Sequence, residues 1–355
     1  MAKLGDCISQ AQVERCGNNQ YPVLSITMQD GLVLQSEKFK KRIASVDTSD
    51  YLVIPRGKLV QGIHIDEGNF DVQNLVEAGI VSPAYKVWDI NTNRVWPEYL
   101  VMYLRSPKAI AYFKTKLIGT VSRRGRMTQS DFMGMQIPLP TIDEQKAIVD
   151  KLNKLATLIS LRKQQLAKLD ELIKSRFIEL FGDPIRNTQN RPTTDFINVV
   201  KMQRGFDLPV QDRQQDGSIP VFGSNGALDR HNVAKVQGGG VITGRSGTIG
   251  TVYYTEGDYW PLNTSLFSVD THGNNIIYLA YLLQMYELSR FTEGTGVPTL
   301  NRNKFHDKPI IDVPLNEQEQ FAVFVKQTDK SKLAIHQSLE KLETLKKSLM
   351  QKYFG

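Results

Sequence analysis

The chain repeats itself at long range, and that repeat limits what it can fold into. A shift of 173 positions puts Leu166 on Leu339, Lys168 on Lys341, Leu169 on Leu342 and Leu172 on Leu345. The same shift puts Lys174 on Lys347, Ser175 on Ser348, Phe181 on Phe354 and Gly182 on Gly355. Upstream, Ile137-Pro138-Leu139 answers to Val313-Pro314-Leu315, and Glu144-Gln145 answers to Glu319-Gln320 after small gaps. The period is far too long for a solenoid unit, where neighbours recur every 20–50 residues or so. It describes two halves, each a globular segment followed by a long helix.

The helical stretches are the most readable part. Ile148, Leu152, Leu155, Ile159, Leu166, Leu169, Ile173 and Leu180 fall four and three apart, with Arg162 and Arg176 interrupting the seam. Ile335, Leu339, Leu342, Leu345, Leu349 and Tyr353 do nearly the same. An apolar stripe of period 3.5 asks for a partner helix. The simplest partner for one stretch is the other, and an antiparallel pairing suits a chain with a globular segment between them.

Both globular segments carry their signals in one order. Short apolar runs at 21–28, 31–35, 51–57, 58–65 and 79–88 are bounded by Gly, Asp and Pro, which is how strands are punctuated. Pro97-Glu98-Tyr99 then opens a helix that Pro107 divides. A polar loop, 119–131, leads into the first long helix. In the second half, runs at 219–225, 238–258 and 260–270 precede a helix at 275–291 and a polar loop at 292–305. The expected organisation is a mixed segment over 1–140, a helix over 141–185, a second mixed segment over 186–312 and a second helix over 313–355.

Composition excludes several classes. Hydrophobic residues at 41% and charged residues at 23% are those of a folded chain. No apolar run of membrane-spanning length is present, and the N-terminus has no signal-peptide pattern. Cys7 and Cys16 cannot form a disulfide framework or a four-ligand zinc site, and His64, His231, His272, His306 and His336 are scattered. A reduced, cytoplasmic chain is expected. The net charge of +7 leans mildly toward polyanions. The excess is local: between Glu98 and Asp131 lie Arg105, Lys108, Lys114, Lys116, Arg123, Arg124 and Arg126, with no acid.

The motifs point to binding rather than catalysis. Residues 239–246 approach a phosphate-binding loop, but Arg245 stands in the lysine position and a strand pattern follows where a helix is needed. No metal-ligand spacing and no nucleophile elbow is found. The loop at 122–130 offers Arg123, Arg124, Arg126 and Gln129, with Lys114 and Lys116 just before it. Its counterpart offers Thr299, Asn301, Arg302, Asn303 and Lys304. Arginine donates in pairs to guanine or phosphate, and glutamine can read adenine. Two equivalent polar loops, one per half, favour DNA reading. Arg204, Arg230 and Arg245 are further candidates in the otherwise charge-balanced second half.

Taken together, the two halves, the I/V-P-L entry with its following E-Q, and the Leu-rich helices ending in F-G resemble the specificity subunit of type I restriction-modification systems. The resemblance spans essentially the whole chain. It implies an α+β fold with two similar mixed α/β target recognition domains and a pseudo-twofold repeat. It also implies two long antiparallel helices forming a coiled coil that spaces them. Each domain would read one half of a bipartite, asymmetric site on double-stranded DNA. The helices, through Ile148, Leu152, Leu155, Ile159, Leu166, Leu169, Ile173, Leu339, Leu342, Leu345 and Leu349, would pair and dock two methyltransferase subunits. Restriction and translocase subunits would complete the assembly. The chain itself would be non-catalytic, with S-adenosylmethionine, ATP and magnesium on its partners and no metal of its own. A modification-only system, or a coiled-coil scaffold that does not bind DNA, are the alternatives left open.

Overall fold

In a computed structural model, the structure describes residues 1–41, 43–117, 127–294 and 298–355. Arg123, Arg124 and Arg126 lie outside the described residues. The chain divides into two compact units: Met1–Leu161 with Leu339–Gly355, and Arg162–Ser338.

Unit 1 opens with β1 (Ala2–Lys3), β2 (Ile8–Gln10), the hairpin β3 (Leu24–Thr27) and β4 (Gly31–Leu34), and a single turn, α1 (Gln35–Lys38). It continues through β5 (Leu52–Pro55), β6 (Leu59–Gln61), β7 (Phe70–Val72), β8 (Ala78–Val81) and β9 (Lys86–Ile90). Its main sheet is antiparallel in the order β2-β9-β6-β7. Alternation puts the two faces in different cores. Leu59 and Trp88 join the helix-side core, while their neighbours Val60 and Val87 join a second core with Leu24, Leu32 and Ile54. Two helices cover the first core: α2 (Pro97–Leu104) and α3 (Pro107–Lys116). Each starts on proline, which lacks the N–H that a first turn cannot use. Arg105 ends the first and Ser106 caps the second, its Oγ accepting from the Ala109 N–H at 3.2 Å. The unit closes with α4 (Gln129–Met133) and β10 (Gln136–Ile137), which pairs with β1.

A long helix, α5 (Ile142–Phe181), follows. Thr141 and Glu144 form its capping box: the Thr141 N–H donates to Glu144 Oε2 at 2.9 Å, and the Glu144 N–H donates to Thr141 Oγ1 at 3.4 Å. Gly182, at φ +77°, supplies the left-handed residue that ends the helix.

Unit 2 repeats the plan. After β11 (Thr193–Asp195), α6 (Phe196–Val199) and β12 (Lys201–Arg204) come the hairpin β13 (Ile219–Gly223) and β14 (Gly226–His231), then β15 (Gly240–Gly244), β16 (Val252–Thr255), β17 (Trp260–Pro261) and β18 (Ser265–Asp270). The main sheet has the order β12-β18-β15-β16, the same path as β2-β9-β6-β7 in unit 1. Its faces also part into two cores, Val241 and Leu266 on one side, Ile242 and Phe267 on the other. The helix α7 (Ile276–Met285) is capped by Asn275, and β19 (Thr292–Glu293), β20 (Thr299–Leu300) and β21 (Pro309–Ile311) lead into α8 (Leu315–Phe354). The strand β21 pairs with β11 as β10 pairs with β1. The glycine-rich run is the strand β15 followed by another strand, so the helix N-terminus that a phosphate loop needs is not there.

The two long helices meet antiparallel in both units. In unit 1 the start of α5, through Ile148, Val149 and Leu152, shares a core with Leu349, Met350, Tyr353 and Phe354 from the end of α8. In unit 2 the end of α5, through Ile173, Phe177 and Phe181, shares a core with Phe321, Ala322 and Val325 from the start of α8. Asp170 and Lys332 bridge them at 2.7 Å. The seam is less uniform than the heptad spacing predicts. Leu345 is 48% exposed, and Leu166, Leu169, Leu339, Leu342 and Leu349 are only half-buried. Burial is deepest where a helix meets its unit's aromatic core, at Phe177, Phe181, Phe321 and Phe354, so local packing overrides the strict 3.5 period. Arg162 and Arg176 are half-buried and satisfied within the helix, by Gln165 and Glu179 at 2.9 and 2.8 Å.

The repeat is also tighter than the sequence indicated. Gln145 is fully buried: its Oε1 accepts from the Trp96 N–H at 2.7 Å, and its Nε2 donates to the carbonyls of Arg94 and Pro140 at 3.1 and 2.8 Å. Gln318 does the same work, accepting from the Asn275 N–H at 2.9 Å and donating to Asn274 Oδ1 and the Val313 carbonyl at 2.6 and 2.7 Å. The counterpart of Glu144-Gln145 is therefore Glu317-Gln318, at the unbroken offset of 173, and not Glu319-Gln320. The offset of 173 also holds just before the helix, where the Met135 carbonyl accepts from the Leu4 N–H and the Lys308 carbonyl accepts from the Phe196 N–H.

Candidate nucleic-acid interface

In unit 2 the strands bring several candidate side chains into one recess of about 280 Å³. Arg204 ends β12, Arg245 follows β15, and Thr299, Asn301 and Arg302 lie on and just after β20. Backbone pairing fixes their neighbourhood. The Arg245 N–H donates to Thr264 C=O at 2.9 Å, the Leu300 N–H donates to Arg245 C=O at 2.8 Å, and Ser246 bridges Thr299. Gly244 allows the close turn behind Arg245, because a Cβ there would sit 1.7 Å from the Thr248 carbonyl oxygen.

The chemistry of this recess is unbalanced. Arg204, Arg245 and Arg302 make no side-chain hydrogen bond or ion pair among the described residues. Three guanidiniums sharing one concavity repel, and an acceptor-rich ligand relieves that. Glu293 also lines the recess, and Lys304 holds its carboxylate at 2.7 Å. That bond holds the Lys304 ammonium charged, raising its pKa. Asn301 is partly committed as well, its Oδ1 accepting from the Asn303 N–H at 3.1 Å. Behind the recess, His306 Nε2 accepts from the Met202 N–H at 3.2 Å. Burial first, then the charges of Arg302 and Lys201, push the imidazole pKa down, so the ring stays neutral and keeps that bond. Arg230 is not part of the group; it lies on β14, turned toward the carbonyls of Gly217 and Ser218 at 3.5 and 3.4 Å.

The matching place in unit 1 is built alike and equipped differently. At the offset of 173, Thr128 corresponds to Asn301, and both cap a turn; Gln129 corresponds to Arg302, and Asp131 to Lys304. Gln129 Nε2 reaches Gln10 Oε1 at 3.4 Å. Gln10 ends β2 opposite Trp88 as Arg204 ends β12 opposite Leu266. Lys116 pairs with Asp131 at 3.1 Å, so the ion pair beside this site runs with reversed polarity from Glu293–Lys304. Lys114 is exposed at the end of α3. Gln10 and Glu293 escaped sequence reasoning, since only strand pairing brings them to the sites.

Among the described residues no cluster of three or more His, Cys, Asp or Glu side chains could hold a metal ion. No described helix is long and apolar enough to cross a membrane. A twice-built mixed α/β unit with a guanidinium-rich recess in one copy suits an acceptor-rich ligand. The sequence profile of the type I restriction modification DNA specificity domain matches residues 2–171 and again 186–347. The chain belongs to that family, and it is a DNA-recognition subunit of a type I restriction-modification system. No curated protein matches it significantly. Among solved structures it is similar to a chain from work on the complex assembly and conformational transition of the type I R-M system. That chain is 17% identical, with a TM-score of 0.64 over 99% of this chain and 96% of that one. It is also similar to the S subunit of the type I restriction-modification system of M. genitalium, 13% identical, with a TM-score of 0.59 over 100% and 95%.

Proposed function

We propose that unit 1 and unit 2 each read one half of a bipartite, asymmetric DNA site, and that α5 and α8 set the gap between the halves. The observation carrying this reading is the recurrence of one site plan in both units with different side chains in it. Equal folds with equal side chains would favour a symmetric site; equal folds with different side chains favour an asymmetric one. Lysine and arginine contacts to phosphate would supply salt-dependent affinity, and a few base-edge contacts per unit would supply sequence. In unit 2 the contacts are assigned to Arg204, Arg245, Thr299, Asn301 and Arg302. In unit 1 they are assigned to Lys114, Gln129 and the arginines at 123, 124 and 126.

In this role the chain docks methyltransferase subunits that modify adenine with S-adenosylmethionine, along its long helices, and restriction subunits that use ATP and magnesium. It contributes recognition and no chemistry of its own, in the cytoplasm where such systems meet DNA. Co-expression with its modification subunit in a host lacking adenine methylation, followed by sequencing of methylated adenines, tests the reading. Two short specific blocks separated by a fixed unspecified gap are expected. A single contiguous motif, or no methylation dependent on this chain, would refute it.

A further inference from the structure

We propose that the recess of unit 2 reads a G·C base pair, with Arg302 and Arg204 on guanine and Glu293 on cytosine, and that the matching place on unit 1 reads an A·T pair through Gln10 and Gln129. The proposal rests on the two-reader assignment above and gives each reader a chemistry.

The inference comes from comparing equivalent positions. Arg302 stands where Gln129 stands, and Arg204 stands where Gln10 stands. Guanidinium only donates, so it suits an edge that only accepts, such as guanine O6 and N7. A primary amide donates and accepts, which suits adenine N6 and N7. A phosphate would also satisfy three free guanidiniums. A phosphate has acceptors only, however, and offers the Glu293 carboxylate in the same recess no donor. A carboxylate can instead accept from the cytosine N4 amino group, the partner of the guanine that the arginines would hold. Lys304 Nζ anchors Glu293 through Oε1 at 2.7 Å. In unit 1 Asp131 stands where Lys304 does, tied to Lys116 and to Thr128 Oγ1 at 2.6 Å, so the amides of Gln10 and Gln129 face the site without a free cation from that pair.

The test is methylated-adenine sequencing with the full chain and its modification subunit, comparing wild type with Arg302→Gln and Gln129→Arg, with co-purification of the modification subunit showing that each variant still folds and assembles. In Arg302→Gln, preference for one G·C pair in one block should drop by about tenfold to a hundredfold, with the other block unchanged. In Gln129→Arg, an A·T pair in the other block should lose its preference. Both variants altering the same block would overturn the proposal. So would an unchanged motif with uniformly weaker methylation and a shallower salt dependence, which marks phosphate contact only. A wild type that yields no two-block motif would refute the two-reader assignment itself, before the variants are compared.

Discussion

Tyr99 and Tyr278 hold equivalent positions and have different hydroxyl environments. Tyr99 packs on Phe354 at 5.3 Å between ring centres, and Tyr278 packs on Phe181 at 5.1 Å. The Tyr99 hydroxyl donates to Pro138 C=O at 3.1 Å, whereas the Tyr278 hydroxyl is buried with no partner among the described residues. Burial pushes both phenols well above their usual pKa, so both stay neutral. An unmade buried hydrogen bond costs more than a made one yields. Tyr99→Phe should therefore cost about 1 kcal/mol, while Tyr278→Phe should be neutral or stabilising. Urea midpoints of the two variants measure this, and the reverse ranking would remove the distinction. At this scale the sequence was only partly legible. It offered Arg204, Arg245 and Arg302 as cations without saying that they meet. It did not offer Gln10 or Glu293, because meeting depends on strand partners distant in the chain. It offered Arg230 on equal terms, although β14 carries it elsewhere.

The helices and strands were more legible, because their signals are local. Pro97 and Pro107 mark two helix starts, and both helices begin there. The order of runs in each half became the shared sheet path. What local pattern could not give was the register of the E-Q pair, since alignment by apolar spacing tolerates gaps and a buried amide does not. Gln145 and Gln318 each tie the start of a long helix to the N-terminus of a shorter helix in its unit. Leucine has the volume but none of the three hydrogen bonds, and each buried group left unpaired costs about 1–3 kcal/mol. Gln145→Leu and Gln318→Leu should each destabilise their unit by at least about 2 kcal/mol. Hydrogen exchange should quicken at the Trp96 amide in the first and at the Asn275 amide in the second. Unchanged exchange at both amides would show that the glutamines do not hold these helix ends.

Across the whole chain, unit 2 is one continuous segment, whereas unit 1 is assembled from Met1–Leu161 and Leu339–Gly355. The late segment is part of the core: Phe354 is buried against Tyr99 and Tyr103, and Lys108 Nζ donates to Gly355 C=O at 2.9 Å. Phe354→Ala should cost unit 1 about 3–5 kcal/mol, with limited proteolysis speeding up there and not in Arg162–Ser338. Equal protection of both units would count against it. The division has a consequence for synthesis. At roughly 5–20 residues per second, a ribosome that has finished Leu161 needs on the order of 10–40 s to reach Leu339. Through that interval unit 2 can complete its fold, while the aromatic face of Tyr99 and Tyr103 waits uncovered for Phe354. The first unit to be translated is the last to close, and the length of the other sets how long its aromatic face stays open.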